Sequence, residues 1–175
     1  HHLPMAKITP GIGVLCEQLG CGEEADAAVA RAILTTDLVP KWCLYEQGGV
    51  PFTVAGIAKG SGMIAPNMAT MLAFITTDAA VASGVLRQAL RQAATATFNR
   101  TSVDSDTSTS DMVLVLANGA SGDEPIEGTD DPRYAAFYEA LREVCASLAE
   151  QVVRDGEGAT KLIRVSIRGA ASEAD

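Results

Sequence analysis

The sequence has few of the residues that build metal sites and disulfide frameworks. It contains two histidines, both at its N-terminus, and four cysteines, none of which forms a Cys-x-x-Cys pair. Zinc sites need clustered Cys and His ligands, and disulfide frameworks need paired cysteines. We therefore expect neither, and we predict no metal site. Unclustered cysteines are typical of a reducing compartment, here the cytoplasm. The cysteines are Cys16, Cys21, Cys43 and Cys145.

The chain also lacks long apolar runs and an excess of positive charge. Its longest apolar runs, such as 113–117, are far shorter than the roughly 18 to 20 residues that span a bilayer, and no secretory signal pattern opens it. The 13 Lys and Arg residues stand against 22 Asp and Glu, which gives a formal net charge of −9. Nucleic-acid affinity comes mainly from clustered Lys and Arg. We therefore expect neither a membrane nor a nucleic-acid partner.

The length and the apolar patterning predict one domain with mixed secondary structure. At 175 residues the chain has the usual size of a single domain, and we treat 1–175 as one. Helical spacing or composition, together with capping residues, predicts four helices: 10–19, 23–34, 82–98 and 132–153. Five strands are predicted by runs that are rich in β-branched and aromatic residues or in which apolar and polar residues alternate: 41–45, 51–58, 71–77, 112–117 and 162–167. Such an order favours an α/β or α+β fold in which helices cover a sheet.

The segment 59–70, Lys-Gly-Ser-Gly-Met-Ile-Ala-Pro-Asn-Met-Ala-Thr, is the most informative stretch of the sequence. Gly60 and Gly62 permit positive φ and Pro66 fixes its own φ, so the loop favours an unusual backbone shape. A Thr hydroxyl that attacks the preceding carbonyl cuts the chain and frees an α-amine on the same residue. This reaction at Thr70 would create a nucleophile and a base together. On spacing alone, a tight connection between two strands is the simpler interpretation.

Three further polar segments are candidates for a binding site. Asp-Gly-Glu-Gly at 155–158 places two carboxylates in a glycine-flanked turn, which suits a calcium ion, a cationic substrate or an exposed turn without a ligand. The Ser-, Thr- and Asp-rich run 104–111 lacks the Gly and the terminal Glu of a calcium-binding EF-hand loop, so we interpret it as turns and caps. Thr-Thr-Asp at 35–37 ends a predicted helix, where Thr and Asp are also common turn formers.

The segment 59–74 resembles the signature of the ornithine acetyltransferases, the glutamate N-acetyltransferases of arginine biosynthesis. Similarity continues, in the family's order, through segments 33–37, 104–111, 116–119 and 155–161. The resemblance implies a layered α-β-β-α sandwich and an enzyme that is made as one precursor. It further implies that the precursor cleaves itself between Ala69 and Thr70, which leaves Thr70 at the N-terminus of a second chain.

The resemblance also implies the reaction and its site residues. Thr70 takes acetyl from N-acetylornithine, forms an acetyl-enzyme and passes the acetyl group to glutamate in a ping-pong cycle. The substrate-binding residues are Thr35, Lys59, Thr70 and Glu157, of which Lys59 suits a substrate carboxylate and Glu157 suits an ammonium group. No cofactor is required, although acetyl-CoA is an alternative donor for some family members. The implied assembly is a heterotetramer of two α and two β chains in the cytoplasm.

One departure from the family pattern concerns length. Family members are considerably longer, and their oxyanion-stabilising Thr-Gly pair and C-terminal binding residues have no counterpart in this sequence. We therefore expect the 175 residues to be a central portion of a longer enzyme and to transfer acetyl poorly alone, because loss of an oxyanion donor slows acyl transfer strongly. Two alternatives stay open. One is a self-cleaving amidohydrolase or aminopeptidase of related fold, and the other is an uncleaved, inactive assembly fragment.

Overall fold

The computed structural model describes residues 2–46, 49–65 and 71–169. The predicted nucleophile Thr70 and the predicted cleavage bond between Ala69 and Thr70 therefore lie outside the described residues. Within the described residues the elements follow the order α1 (Met5–Glu17), α2 (Glu23–Ala32), β1 (Lys41–Tyr45), β2 (Val54–Lys59), β3 (Leu72–Thr77), α3 (Ser83–Ala96), β4 (Met112–Ala117) and α4 (Tyr134–Arg154), with a short 3₁₀ turn at Phe98–Arg100.

The four strands form one sheet in the order β1-β2-β3-β4. β1 and β2 form the predicted antiparallel hairpin, and β2 pairs antiparallel with β3. β3 and β4 run parallel, and α3 lies between them in the chain as the crossover that a parallel pair requires. The register pairs Lys41 with Ala58 and Lys59 with Leu72, so both lysines lie at the same end of the sheet.

Helices α3 and α4 cover one face of this sheet. The apolar residues of α4 recur at three or four residues, as the sequence predicts, and face the strands. Gly56 of β2 provides the space for this packing, because a Cβ there would lie 2.9 Å from Leu148 Cδ1. The fully buried apolar residues of this core are Val54, Ala58, Ala73, Ile75, Ala89, Ala93, Phe137, Ala140, Leu141, Val144, Cys145 and Leu148.

The opposite face of the sheet is apolar and exposed in the described part of the chain. Trp42 is 63% exposed, and Leu44, Leu114 and Leu116 are exposed as well. The mixed α/β class is confirmed, and the described residues contain one β layer with one helical layer on it, which are two of the layers of the predicted α-β-β-α sandwich. None of the helices within these residues has the length and apolarity needed to cross a bilayer.

Two predictions about elements are wrong. The first helix does not begin at Pro10, because α1 begins at Met5 and contains Pro10 in its interior. The apolar spacing extends back through Ile8 to Met5. We placed the helix start at Pro10 because proline prefers the first turn of a helix. The segment 162–167 forms no strand, since none of the described residues pairs with it. Alternation of apolar and polar residues does not by itself make a strand, because the backbone N–H and C=O groups of a strand need a pairing partner.

Candidate functional site

Lys59 is the last residue of β2 and is only 8% exposed. Side chains alternate along a strand, so Lys59 lies on the face of the sheet opposite to Ala58 and to the helices. Among the described residues, no carboxylate forms an ion pair with Lys59. The Lys59 residue is therefore largely buried in this region, and no carboxylate of the described residues neutralises its ammonium.

Lys41 is the second buried lysine, and its environment is the opposite. Its Nζ lies 2.6 Å from Asp37 Oδ1 and 2.6 Å from Asp155 Oδ2, and the Lys41 side chain is fully buried. Asp155 follows the last residue of α4, and it is 114 residues away from Lys41 in sequence. We call Asp37, Lys41 and Asp155 the buried ion cluster. It joins the segment before β1 to the C-terminal end of α4.

The buried ion cluster also binds backbone groups on two chain segments, the one before β1 and the loop after β2. Asp37 Oδ1 accepts the Gly60 N–H at 2.6 Å, and Asp37 Oδ2 accepts the Thr35 N–H at 3.3 Å. Asp155 Oδ2 accepts the Leu38 N–H at 2.9 Å. Burial raises the pKa of Asp37, but the hydrogen bonds from Lys41, Gly60 and Thr35 outweigh burial and lower it overall. Asp37 is therefore charged at neutral pH.

Ser61 makes a second connection between the same segments. Its Oγ lies 2.6 Å from Thr36 Oγ1, and its carbonyl accepts the Glu157 N–H at 2.6 Å. The loop after Lys59 is thus bonded on one side to the residue after Thr35 and on the other to Glu157 itself. The side chains of Thr35 and Glu157 belong to exposed residues, which leaves them accessible to a ligand.

Gly62 and Asp104 shape the next part of the loop. Asp104 accepts the N–H of Met63 at 2.6 Å and that of Ile64 at 3.0 Å. Met63 has φ of 52°, which is an unfavourable value for a residue with a side chain, so Asp104 holds a strained backbone in place. A Cβ on Gly62 would lie 3.2 Å from Glu157 Oε2 and 3.7 Å from Asp104 Oδ2, so Gly62 provides the space between two carboxylates.

Asp111 fixes the chain where the described residues resume after Ala65. Its Oδ1 accepts the Met71 N–H at 2.9 Å, and the Met112 N–H donates to the Met71 carbonyl at 3.0 Å. Asp104 and Asp111 both belong to the polar run 104–111, which we interpreted from the sequence as turns and caps. The structure gives these two residues a more specific role, because they anchor the backbone on the two sides of segment 66–70.

The structure brings three of the predicted substrate-binding residues to one end of the sheet. The Thr35 N–H binds Asp37 of the buried ion cluster directly, and Lys59 precedes Gly60, whose N–H also binds Asp37. Glu157 lies two residues after Asp155 of the same cluster. Thr70 lies outside the described residues. Sequence reasoning missed Lys41, because a lysine at the start of a strand usually lies at the surface. The one available signal was Asp37 four residues earlier. Across the described residues, no group of three His, Cys, Asp or Glu residues could hold a metal ion.

Comparisons with known proteins agree on one family. The model of the ArgJ family matches residues 1–175. Arginine biosynthesis bifunctional protein ArgJ of Geobacillus stearothermophilus is 53% identical over 175 residues, which are 98% of this chain and 42% of that protein. The Bacillus subtilis protein of the same name is 49% identical over 177 residues, 99% of this chain and 42% of that protein. A mitochondrial ArgJ of Verticillium alfalfae is 45% identical over 98% of this chain and 38% of that protein.

Among solved structures, a crystal structure of arginine biosynthesis bifunctional protein argJ from Bacillus halodurans is 49% identical, with a TM-score of 0.47. That match covers 49% of this chain and 39% of the other. The chain spans about 42% of the length of the Geobacillus stearothermophilus and Bacillus subtilis relatives. The family model covers all 175 residues, and the sequence relatives are similar over nearly all of them. The chain therefore belongs to the ArgJ family.

Proposed function

We propose that this chain is the central portion of an acetyltransferase that moves acetyl from N-acetylornithine to glutamate through an acetyl ester on Thr70. The observation that carries the proposal is Lys59, a buried lysine without an ion-pair partner among the described residues, next to a loop that is bonded to Glu157. The ArgJ relatives are named as bifunctional proteins of arginine biosynthesis, which supports a reaction on amino acids of that pathway.

The charge environment of Lys59 favours a ligand with a carboxylate. The ammonium of Lys59 has no carboxylate partner among the described residues, so a carboxylate that enters the site gains a charge-assisted hydrogen bond from it. Lys41 has no comparable capacity, because Asp37 and Asp155 already surround its ammonium. Both N-acetylornithine and glutamate carry an α-carboxylate. In our proposal Lys59 binds that group in each half of the reaction.

Glu157 and Thr35 complete the proposed recognition of the substrate. The backbone of Glu157 is bonded to Ser61, while the residue itself is exposed, so its carboxylate is free to meet the ammonium of ornithine. Thr35 is exposed as well, and its hydroxyl is suited to a polar substrate group. A carboxylate-binding lysine and an ammonium-binding glutamate together select a zwitterionic amino acid over a simple amide.

The proposed self-cleavage and transfer use the same hydroxyl. Thr70 Oγ attacks the Ala69 carbonyl, the peptide nitrogen leaves as the α-amine of Thr70, and water hydrolyses the resulting ester. Thr70 Oγ then attacks the acetyl carbonyl of N-acetylornithine, and ornithine leaves with a proton on its nitrogen. The α-amine of glutamate attacks the acetyl ester, which releases N-acetylglutamate and restores the hydroxyl. The free α-amine has a reference pKa near 8, so it is suited to act as the base.

Self-cleavage is tested with the full-length protein that carries this chain. We expect two bands on a denaturing gel, and N-terminal sequencing of the second band should begin with Thr70. Thr70→Ala should stay uncut, because it has no hydroxyl. Thr70→Ser is the matched control and should still be cut, since it keeps the nucleophile. Cleavage of Thr70→Ala at the same bond would disprove the assignment of the nucleophile, and an uncut wild-type protein would favour the assembly fragment.

Transfer is distinguished from hydrolysis by mass spectrometry after incubation with N-acetylornithine and glutamate. We expect N-acetylglutamate as the product. Free acetate without N-acetylglutamate would instead indicate an amidohydrolase. Lys59→Gln should raise KM for both substrates, whereas Lys161→Gln, at an exposed lysine, should not. Glu157→Gln should raise KM for N-acetylornithine, with Glu143→Gln at an exposed position of α4 as its control.

The remaining parts of the proposal concern cofactor, assembly and compartment. The exchange requires no cofactor, because acetyl passes between two amines through one ester. Incubation with acetyl-CoA in place of N-acetylornithine tests whether it serves as a second donor. Native mass spectrometry tests the proposed heterotetramer of two α and two β chains, and a single αβ mass would contradict it. We propose a cytoplasmic protein, which fractionation of the producing cell tests directly.

A further inference from the structure

The buried ion cluster contacts the three described chain segments to which we assign substrate recognition, those of Thr35, Lys59 and Glu157. Asp37 binds the N–H of Thr35 and the N–H of Gly60, the residue after Lys59. Asp155 lies two residues before Glu157, and Lys41 holds the two aspartates together. Residues that are far apart in sequence thus converge on a single ammonium group.

We propose that Lys41 is a positioning residue for the proposed acetyl transfer, which holds the carboxylate-binding Lys59 and the ammonium-binding Glu157 at the spacing of one zwitterionic substrate. This inference rests on the proposed function. Lys41 does not bind the substrate itself, because its side chain is fully buried and its ammonium is occupied by two carboxylates.

The geometry of the cluster explains how Lys41 can fix the positions of both Lys59 and Glu157. A bond of 2.6 Å from Lys41 fixes Asp37, and a bond of 2.6 Å from Gly60 to the same Asp37 oxygen fixes the end of β2. The second bond of 2.6 Å from Lys41 fixes Asp155 at the end of α4. The Ser61 carbonyl then accepts a hydrogen bond from the Glu157 N–H, which joins the loop after Lys59 to the turn after α4.

The charges of the cluster make this arrangement sensitive to Lys41. Two buried carboxylates share one ammonium, so removal of Lys41 leaves Asp37 and Asp155 facing each other with no positive group between them. Like charges at short range repel strongly in a buried site. The repulsion would separate the segment before β1 from the end of α4. The distance between Lys59 and Glu157 would then no longer match a substrate that contacts both.

Comparison of two substrates gives a ratio that would stay unchanged if Lys41 contributed only to the stability of the fold. N-acetylputrescine equals N-acetylornithine without its carboxylate, so it can engage Glu157 but not Lys59. The ratio of kcat/KM for N-acetylornithine to kcat/KM for N-acetylputrescine therefore reports whether both groups are recognised together. A variant that only lowers the folded fraction reduces both values equally and leaves the ratio unchanged.

The experiment measures this ratio in the full-length enzyme and in Lys41→Met. We expect the ratio to fall at least tenfold in Lys41→Met, with KM for N-acetylornithine raised. Arg142→Met is the matched control, because it breaks the accessible Arg142–Glu139 ion pair of α4, and its ratio should equal that of the wild type. A Lys41→Met enzyme with an unchanged ratio would overturn the inference.

A second variant keeps the inference testable if Lys41→Met does not fold. Asp155→Asn removes the charge that binds Lys41, so it weakens the connection between Lys41 and the end of α4 while it keeps an oxygen that can accept from Leu38. We expect an intermediate fall in the ratio, and an unchanged ratio in the folded variant would overturn the inference. A wild-type enzyme that transfers no acetyl from N-acetylornithine would instead contradict the proposed function itself.

Discussion

The backbone N–H of Glu157 donates a hydrogen bond of 2.6 Å to the carbonyl of Ser61, which lies two residues after Lys59. This bond connects the turn after α4 with the loop after β2, and it lies beside Gly62. The loop that follows Lys59 and the backbone of Glu157 are therefore joined by a direct main-chain hydrogen bond.

Gly62→Ala should weaken substrate binding with little loss of stability. The added Cβ would lie 3.2 Å from Glu157 Oε2, and the flexible end of that side chain can move away at little cost to the fold. The displaced carboxylate would bind an ammonium less well, so KM for N-acetylornithine should rise several-fold. Steady-state kinetics of the full-length enzyme measure this. A Gly62→Ala enzyme with wild-type KM would show that the position of Glu157 does not matter.

Gly56→Ala should destabilise the protein by about 1 to 3 kcal/mol through overpacking. The new Cβ would lie 2.9 Å from Leu148 Cδ1, 3.1 Å from Val144 Cγ1 and 3.2 Å from Ile75 Cγ1, all within the core. Gly84→Ala in α3 is the control, because a Cβ there meets nothing within 4 Å and should stabilise by roughly 0.4 to 1 kcal/mol. Thermal denaturation should thus move Tm in opposite directions for the two variants.

Asp37→Asn should lower stability at neutral pH and remove part of its acid dependence. The pKa of Asp37 is lower in the folded protein than in the unfolded chain, so its ionised form stabilises the fold at pH values above its unfolded pKa of about 3.9. That contribution disappears as the pH falls through the lower folded pKa. The Tm difference between wild type and Asp37→Asn should therefore shrink below about pH 4.

The control for this pH experiment is Asp123→Asn, which changes an exposed carboxylate outside the cluster. Its Tm should follow the wild-type value over the same pH range. If the Tm difference for Asp37→Asn were constant from neutral to acidic pH, the carboxylate of Asp37 would not be the source of the stabilisation.

Cys145 should be unreactive in the native protein. Burial in α4 raises the pKa of its thiol to about 12, so almost no thiolate exists near neutral pH. Cys16 and Cys21 are exposed and should react with a thiol reagent at pH 8. Peptide mapping by mass spectrometry measures labelling of each cysteine, and Cys145 should become labelled only after denaturation. Rapid labelling of native Cys145 would contradict the packing of α4 on the sheet.

Local patterns were sufficient to predict most of the fold. The periodic spacing of apolar side chains predicts the buried face of α4, and an apolar run predicts β4. Turn residues predict the hairpin of β1 and β2. All of these signals lie within a few residues of one another in the sequence. The segment 162–167 shows the limit of this reasoning, because its alternation resembles a strand while strand formation depends on a partner elsewhere. Pro10 shows another limit, since a general preference does not locate an individual helix start.

The sequence by itself determined the kind of chemistry to expect, and the tertiary structure decided how the site is built. The binding roles of Lys59 and Glu157 came from the resemblance of their segments to a known family, whereas residue types and spacing alone indicated only a Gly-rich loop and a glycine-flanked turn. The role of Lys41 is not recognisable from the sequence, because it depends on Asp155, which is 114 residues away. That contact exists only when strand register brings Lys41 opposite Ala58 and α4 ends above it. A buried charge is stabilised by partners in space, and spacing along the chain does not specify them.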